Sequence, residues 1–243
     1  MVLAMYYINL ERCPERRKET EELFPTAKRV EALDGEKLSS YENIVLPPYD
    51  PNPARGMKPS QLACSLSHIK AIKTAYDNGD DGALILEDDM SNKLEEKWKY
   101  TLEEVVSRIP EGSNCISFHC SNARRLSLMI EEWFDKGNLF SEWSSADWGT
   151  GMYYISRKGM ERVMKMFYRG GKFNMNIRLK NYVADDGVIY MNLKTVSCNM
   201  PTLISRLEGS TIQDNSVGWR AEYEKNINKM IYACYGVMRP GEN

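Results

Sequence analysis

The chain has 243 residues, 42% of them hydrophobic and 27% charged, with a formal net charge of −2. That balance excludes a general affinity for nucleic acid or for an anionic membrane, so a polyanionic ligand has to be met by a local cluster or through a metal. No stretch approaches the roughly 18 apolar residues of a membrane span, so no integral membrane segment is expected, and the length suits a single α/β domain.

The opening apolar run, Met5 to Leu10, is too short and lacks the basic flank of a signal peptide; it reads as a first buried strand. Pro14 then opens a charged helix, and "AKRVEALDGEKL" gives a second extended piece closed by the Asp34-Gly35 turn signal. The proline-rich "IVLPPYDPNPARGMKPS" reads as an extended surface loop placed to cover a site. From Ser60, Leu62, Leu66, Ile69 and Ile72 recur at helical spacing up to Asn78-Gly79. "GALILEDD" follows as a continuous apolar strand, of the kind covered on both faces.

"NKLEEKWKYTLEEVVSRIP" has the pattern of one amphipathic helix ending before Pro110, and "NCISFHC" that of the next strand. Strands and helices alternate, which predicts a mostly parallel central sheet covered by helices. The second half is less regular. "WFDKGNLFSEWSSADWGTG" is rich in aromatic and small residues, "MYYIS" reads as a strand and "RKGMERVMKMFYRGG" as a helix. "LKNYVADDGVIYMN" carries a second acidic pair, "TVSCNM" is a short strand, and a helix from about Trp219 to Tyr235 ends the chain. Six cysteines without C-x-x-C spacing read as reduced, which predicts a cytoplasmic protein, peripheral at a membrane at most.

Parallel α/β sheets bind ligands beyond the carboxyl ends of their strands, and Glu87, Asp88 and Asp89 stand at such an end with no cation among them. Three adjacent carboxylates repel one another, and a bound divalent cation, Mg2+ or Mn2+, would relieve the repulsion. The alternative is an N-cap for a helix beginning near Asn92. Gly149, Thr150 and Gly151 allow close backbone approach to a ligand, with Trp148 and Asp147 offering an apolar face and an acceptor, or else form a tight turn before a buried strand.

"YYINLERCPERR", "QLACSLSHIKAIKTA", "ALILEDDM" and "WGTGMYYISRKGMERV" together resemble, in order and approximate spacing, glycosyltransferase family 25, the lipooligosaccharide and procollagen galactosyltransferases and their viral counterparts. The resemblance implies a GT-A, Rossmann-like nucleotide-diphospho-sugar transferase fold over residues 1–243, with a nucleotide-binding half (1–120) and an acceptor-binding half (121–243). It further implies a UDP-sugar donor, a glycan, lipooligosaccharide or glycoprotein acceptor, a divalent metal and inversion at the anomeric carbon. A viral member would act in the host cytoplasm. Carried onto this chain, Asp89 and Asp88 are metal ligands, with Glu87 or Asp88 on the donor ribose or sugar. Ile8, Asn9 and Leu10 lie against base and ribose, and Arg16 or Arg17 meets phosphate. Ser67 and His68 come from a helix over the donor pocket, where His68 either donates to the ligand or packs within the helix. Thr150 and Gly151 form a sugar wall.

Asp186 is the implied base and Asp185 its acceptor-binding neighbour, although Ala184 and the doubled Asp depart from the family's usual Pro-Val-Asp, and helix capping would use the same residues. Arg206, where the family commonly has Gln, and Ser210 are candidates for the diphosphate. His119 ends a strand and either approaches the metal or is a core histidine. Metal-dependent nucleotidyl or phosphoryl transfer is an alternative chemistry, disfavoured by the lack of a Gly-rich phosphate loop after the first strand; a non-catalytic sugar-nucleotide-binding protein is another.

Overall fold

A computed structural model describes residues 3–37, 43–44, 59–174, 188–206 and 218–236. The first strand, β1 (Ala4–Asn9), is followed by α1 (Pro14–Leu23), with proline in its first turn, and by β2 (Lys28–Glu31). α2 (Pro59–Asp77) leads through a turn at Gly79, whose φ of 78° suits glycine, into β3 (Gly82–Glu87). The proline-rich loop lies almost wholly outside the described residues, as do Asp185, Asp186 and Ser210.

After β3 comes a two-residue strand, β4 (Met90–Ser91), where an unbroken helix from Asn92 was expected. The chain instead makes a single 3-10 turn at Glu95–Lys97, and the helix α3 (Leu102–Ser107) starts afresh. Thr101 and Glu104 form a reciprocal capping box, which satisfies the first amides of α3 and fixes its start. The acidic run therefore caps no helix.

β5 (Cys115–Ser117) precedes α4 (Ala123–Phe134), which Asn122 caps and which the sequence reading did not identify, and β6 (Phe140–Glu142), which was not legible in the irregular aromatic stretch. The expected β7 (Met152–Ser156) and α5 (Arg157–Phe167) follow, then a small hairpin of β8 (Tyr168–Arg169) and β9 (Lys172–Phe173). β10 (Thr195–Cys198), β11 (Ile204–Ser205) and α6 (Gly218–Cys234) end the described chain.

The central sheet has seven strands in the order β2-β1-β3-β7-β5-β10-β6. β2, β1, β3, β5 and β10 run one way; β7 and the edge strand β6 run against them. The expected α/β class with a mostly parallel sheet is thus observed, with the antiparallel β7 set between the parallel strands β3 and β5. Because β7 enters the sheet where β3 and β5 leave it, residues 149–151 lie beside the carboxyl ends of both.

Both faces of the sheet are covered, as the continuous apolar run of β3 requires. Ala83 and Ile85 face a core with Leu66, Ile69 and Ile72 of α2 and Met160, Val163 and Phe167 of α5. Leu84 and Leu86 face the opposite core, with Val105 of α3 and Trp133 of α4. Leu84 and Ile85 are both fully buried, so Leu84→Ala and Ile85→Ala should each lower stability by about 2–5 kcal/mol in urea denaturation. A near-neutral result for either would mean that one face of the sheet is wet.

Candidate active site

Asn9 ends β1 beside β3, one residue beyond the paired Ile8 and Glu87. Its Nδ2 donates to Asp88 Oδ2 at 2.6 Å and to the Cys13 carbonyl at 3.1 Å, while its Oδ1 accepts from Arg29 Nε at 3.1 Å. Asn9 thus anchors an acid of the motif. Ile8 packs into the core and Leu10 is half-buried at the edge.

Each of the three carboxylates is engaged, Asp88 and Asp89 in part by a shared arginine. Glu87 accepts from Thr150 Oγ1 at 2.8 Å and faces His68 Nε2 at 3.7 Å; the other ring nitrogen of His68 lies 3.3 Å from Tyr153 Oη. Burial by itself would raise the Glu87 pKa, but His68, the Thr150 hydroxyl and the charge of His119 together hold it below the ordinary value of 4.5. For Asp88 burial prevails, and its pKa stays raised even though Arg16 and Asn9 pull it down. One Arg16 nitrogen lies 2.6 Å from Asp88 Oδ1 and 3.3 Å from Asp89 Oδ2. The acidic run is therefore compensated in part from within the protein, by Arg16, Asn9 and Thr150.

Arg206 is committed to structure. Its backbone amide donates to the Asp89 carbonyl at 2.6 Å, and its guanidinium meets Glu19, Thr20 Oγ1 and the Asp88 carbonyl. It fastens β11 and the acidic motif to α1, which removes it as a free group for diphosphate. Arg17 reaches Glu11 at 3.0 Å.

The Gly149–Gly151 arc is a cradle for the protein's own imidazole. A Cβ on either glycine would come within 2.8 Å of His119 Nδ1, and one on Gly151 within 2.5 Å of Met90 Sδ. Gly149 also has a φ of 106°, open to glycine and strained for other residues. His119 is 6% exposed, and neither of its ring nitrogens has a hydrogen-bond partner among the described residues. The Gly151 carbonyl accepts the Glu87 amide at 2.8 Å, so the arc also pins the acid motif.

Asp147, expected as a sugar acceptor, is fully buried and bound to Arg125 Nε at 2.5 Å, Ser197 Oγ at 2.9 Å and the Ser144 amide at 3.0 Å. Trp148 remains 49% exposed, free to face a ligand. Ser67 does not line a polar helix face: its hydroxyl accepts the Leu33 amide at 2.8 Å and donates to the Ala63 carbonyl at 2.6 Å. His68 is likewise fully buried and acts on Glu87 from behind.

The structure thus gathers Asn9, Arg16, His68, Glu87, Asp88, Asp89, Thr150 and Gly151 at one sheet edge, and leaves Ser67 and Asp147 in supporting roles. Sequence reasoning missed Tyr153, Thr20 and Glu19. Tyr153 lies in a strand with no polar pattern, and Thr20 and Glu19 look like an ordinary helix surface, so no spacing signal marked them.

Among the described residues no group of three or more His, Cys, Asp or Glu side chains could hold a metal ion. Asp88 and Asp89 do turn one oxygen each toward a single cationic nitrogen. That donor set suits a hard cation that takes one or two carboxylates and completes its shell with water and phosphate oxygens. No helix among the described residues is long and apolar enough to cross a membrane.

The family model for glycosyltransferase family 25 (LPS biosynthesis protein) matches residues 2–177. No curated protein matches the chain in sequence. Among solved structures, a glycosyltransferase involved in glycosylation of the major capsid of PBCV-1 is 10% identical, with a TM-score of 0.48 over 93% of this chain and 98% of that one. Glucosyl-3-phosphoglycerate synthase from Mycobacterium tuberculosis, solved with Mn2+, UDP-glucose and phosphoglyceric acid, is 9% identical, with a TM-score of 0.36 over 98% of this chain and 81% of that one.

Two outcomes follow from the geometry. A carboxylate whose folded pKa is depressed contributes stability above its unfolded pKa and loses it as pH falls. The wild type should therefore lose stability on acidification below about 4.5, and Glu87→Gln, followed by urea midpoints across that range, should remove part of that loss. Gly151→Ala should cost about 1–3 kcal/mol through the clash with His119 and Met90, and less in a His119→Ala background. Equal costs in a double-mutant cycle would show that the imidazole does not fill the cradle.

Proposed function

The chain belongs to glycosyltransferase family 25, and from that premise we propose a metal-dependent, inverting transferase that moves a hexose from a UDP-sugar to a hydroxyl of a glycan, lipooligosaccharide or glycoprotein acceptor. One observation carries the reading: at the carboxyl edge of the parallel strands, Asp88 and Asp89 direct oxygens at a common cationic position, now held by Arg16. Ligands of α/β sheets bind at this edge.

In this reading Leu10 and the rim above Asn9 receive the nucleoside. Glu87 is ionised, and its Oε1 accepts from Thr150 and faces His68. Its Oε2 is not engaged among the described residues and accepts from a ribose or sugar hydroxyl. Thr150 holds Glu87 in that orientation, and Trp148 supplies an exposed apolar face for a sugar ring. Asp89 and Asp88 would hold Mn2+ or Mg2+, which together with donor phosphate oxygens offsets the charge of the departing diphosphate.

Inversion requires the acceptor oxygen to attack the anomeric carbon from the face opposite the UDP. The new carbon–oxygen bond forms as the bond to the diphosphate breaks, and the acceptor proton passes to a carboxylate. Asp186 is assigned that role and Asp185 the contact to the acceptor; both lie outside the described residues.

The test is isothermal titration of UDP with and without Mn2+, for wild type and Asp89→Ala. Loss of the metal or of the carboxylate should weaken UDP binding about tenfold or more, ~1.4 kcal/mol. Metal-independent binding that survives Asp89→Ala overturns the site, and release of pyrophosphate in place of UDP on turnover would identify nucleotidyl transfer.

A further inference from the structure

We infer that Arg16 is an exchangeable counter-cation for Asp88 and Asp89, displaced when a divalent metal takes the acid pair and thereby freed for the donor's diphosphate. The inference rests on the proposed metal-dependent reading and adds to it a coupling between metal and nucleotide.

The arginines around the acidic motif differ in what holds them. Arg206 is fixed by Glu19, Thr20 and the Asp88 carbonyl. Arg29 is fixed by Glu11 and by the Asn9 side chain and carbonyl. Arg17 reaches Glu11 at 3.0 Å and Asn9 Oδ1 at 3.5 Å. Arg16 instead pairs, among the described residues, with the two carboxylates of the proposed metal site. Its side chain is 18% exposed, so it has a route outward that a sealed guanidinium lacks.

The oxygens it touches are the ones a cation needs. Asp88 Oδ2 is already committed to Asn9 at 2.6 Å, which leaves Oδ1, the atom bound by Arg16. A guanidinium and a divalent ion on the same oxygens repel each other, so both cannot be bound there at once. Once displaced, Arg16 remains on the first turn of α1, whose amino end has no side-chain cap and so itself favours an anion. A planar guanidinium suits phosphate oxygens.

Arg16 therefore opposes metal binding in the absence of nucleotide and assists nucleotide binding in the presence of metal. A residue that merely supported the fold would weaken both when removed. The experiment measures Mn2+ binding to the full chain by the electron paramagnetic resonance of free Mn2+, without UDP, and then UDP binding by calorimetry at saturating Mn2+. Arg16→Gln, Arg16→Ala and Arg16→Lys are compared with wild type, and Lys18→Ala, an exposed cation on the same helix, controls for net charge.

Arg16→Gln and Arg16→Ala should bind Mn2+ alone about tenfold more tightly than wild type and UDP with Mn2+ about tenfold more weakly. Arg16→Lys should fall between, and Lys18→Ala should match wild type. Unchanged or weakened Mn2+ binding in a folded Arg16→Gln protein overturns the exchange and leaves the metal-dependent reading standing. If wild type binds no Mn2+ even with UDP, both are overturned. Should Arg16→Ala fail to fold, Arg16→Gln and Arg16→Lys still decide the outcome.

Discussion

The site depends on one electrostatic constraint: the charge of three consecutive carboxylates at a partly buried strand end must be compensated. Adjacent carboxylates sharing a low-dielectric edge cannot all stay ionised without compensation. Here the compensation comes from four directions. β1 supplies Asn9, α1 supplies Arg16, α2 supplies His68 from behind, and the turn into β7 supplies Thr150. The acidic run thereby fixes the relative positions of elements drawn from β1 and α1, from α2 and from the turn before β7.

The antiparallel strand β7 makes this possible. Were it parallel, its amino end would lie at the far edge of the sheet, and Gly149–Gly151 would sit nowhere near Glu87. Running against β3 and β5, it brings the Gly-Thr-Gly turn to the carboxyl edge, where one carbonyl takes the Glu87 amide and one hydroxyl the Glu87 carboxylate. The glycines permit the close approach of His119 and Met90. The sequence left this turn open to a ligand or to tight packing, and the close space beside its glycines is taken by the protein itself.

The carboxyl-terminal part of the chain is tied to the same place. β11 pairs with β4, the short strand directly after the acids, and Arg206 bonds to the carbonyls of Asp88 and Asp89 through its side chain and backbone. Asn228 of α6 bridges back to Ser205 in both directions, which joins the last helix to that pairing. The backbone of the motif is therefore held on two sides, while its side chains keep the polar partners that chemistry requires.

What the sequence by itself determined was the main strands and helices of the first half, β7 and α5, and the location of the charge. Apolar runs at strand length, helical spacing after Ser60 and the Asn78-Gly79 stop are local signals, and local propensity and burial pattern are written in neighbouring residues. The acidic run at the end of β3 was equally legible, because a continuous apolar strand of a parallel sheet ends at the ligand-binding edge. The break between Asn92 and Thr101 was masked by a helical period that persisted across it, although the Thr101–Glu104 capping box was present to be read. Only the tertiary structure decided which group meets which carboxylate. The two readings of His68, ligand donor or packed helix residue, separate only when α2 is seen to bury it; Arg206 is a loop cation until β11 is seen to pair with β4; and the two readings of Gly149–Gly151, ligand space or tight turn, separate only when His119 is seen against them. Those pairings join residues tens to hundreds of positions apart, and their energies depend on distance and burial, quantities that a linear pattern does not carry.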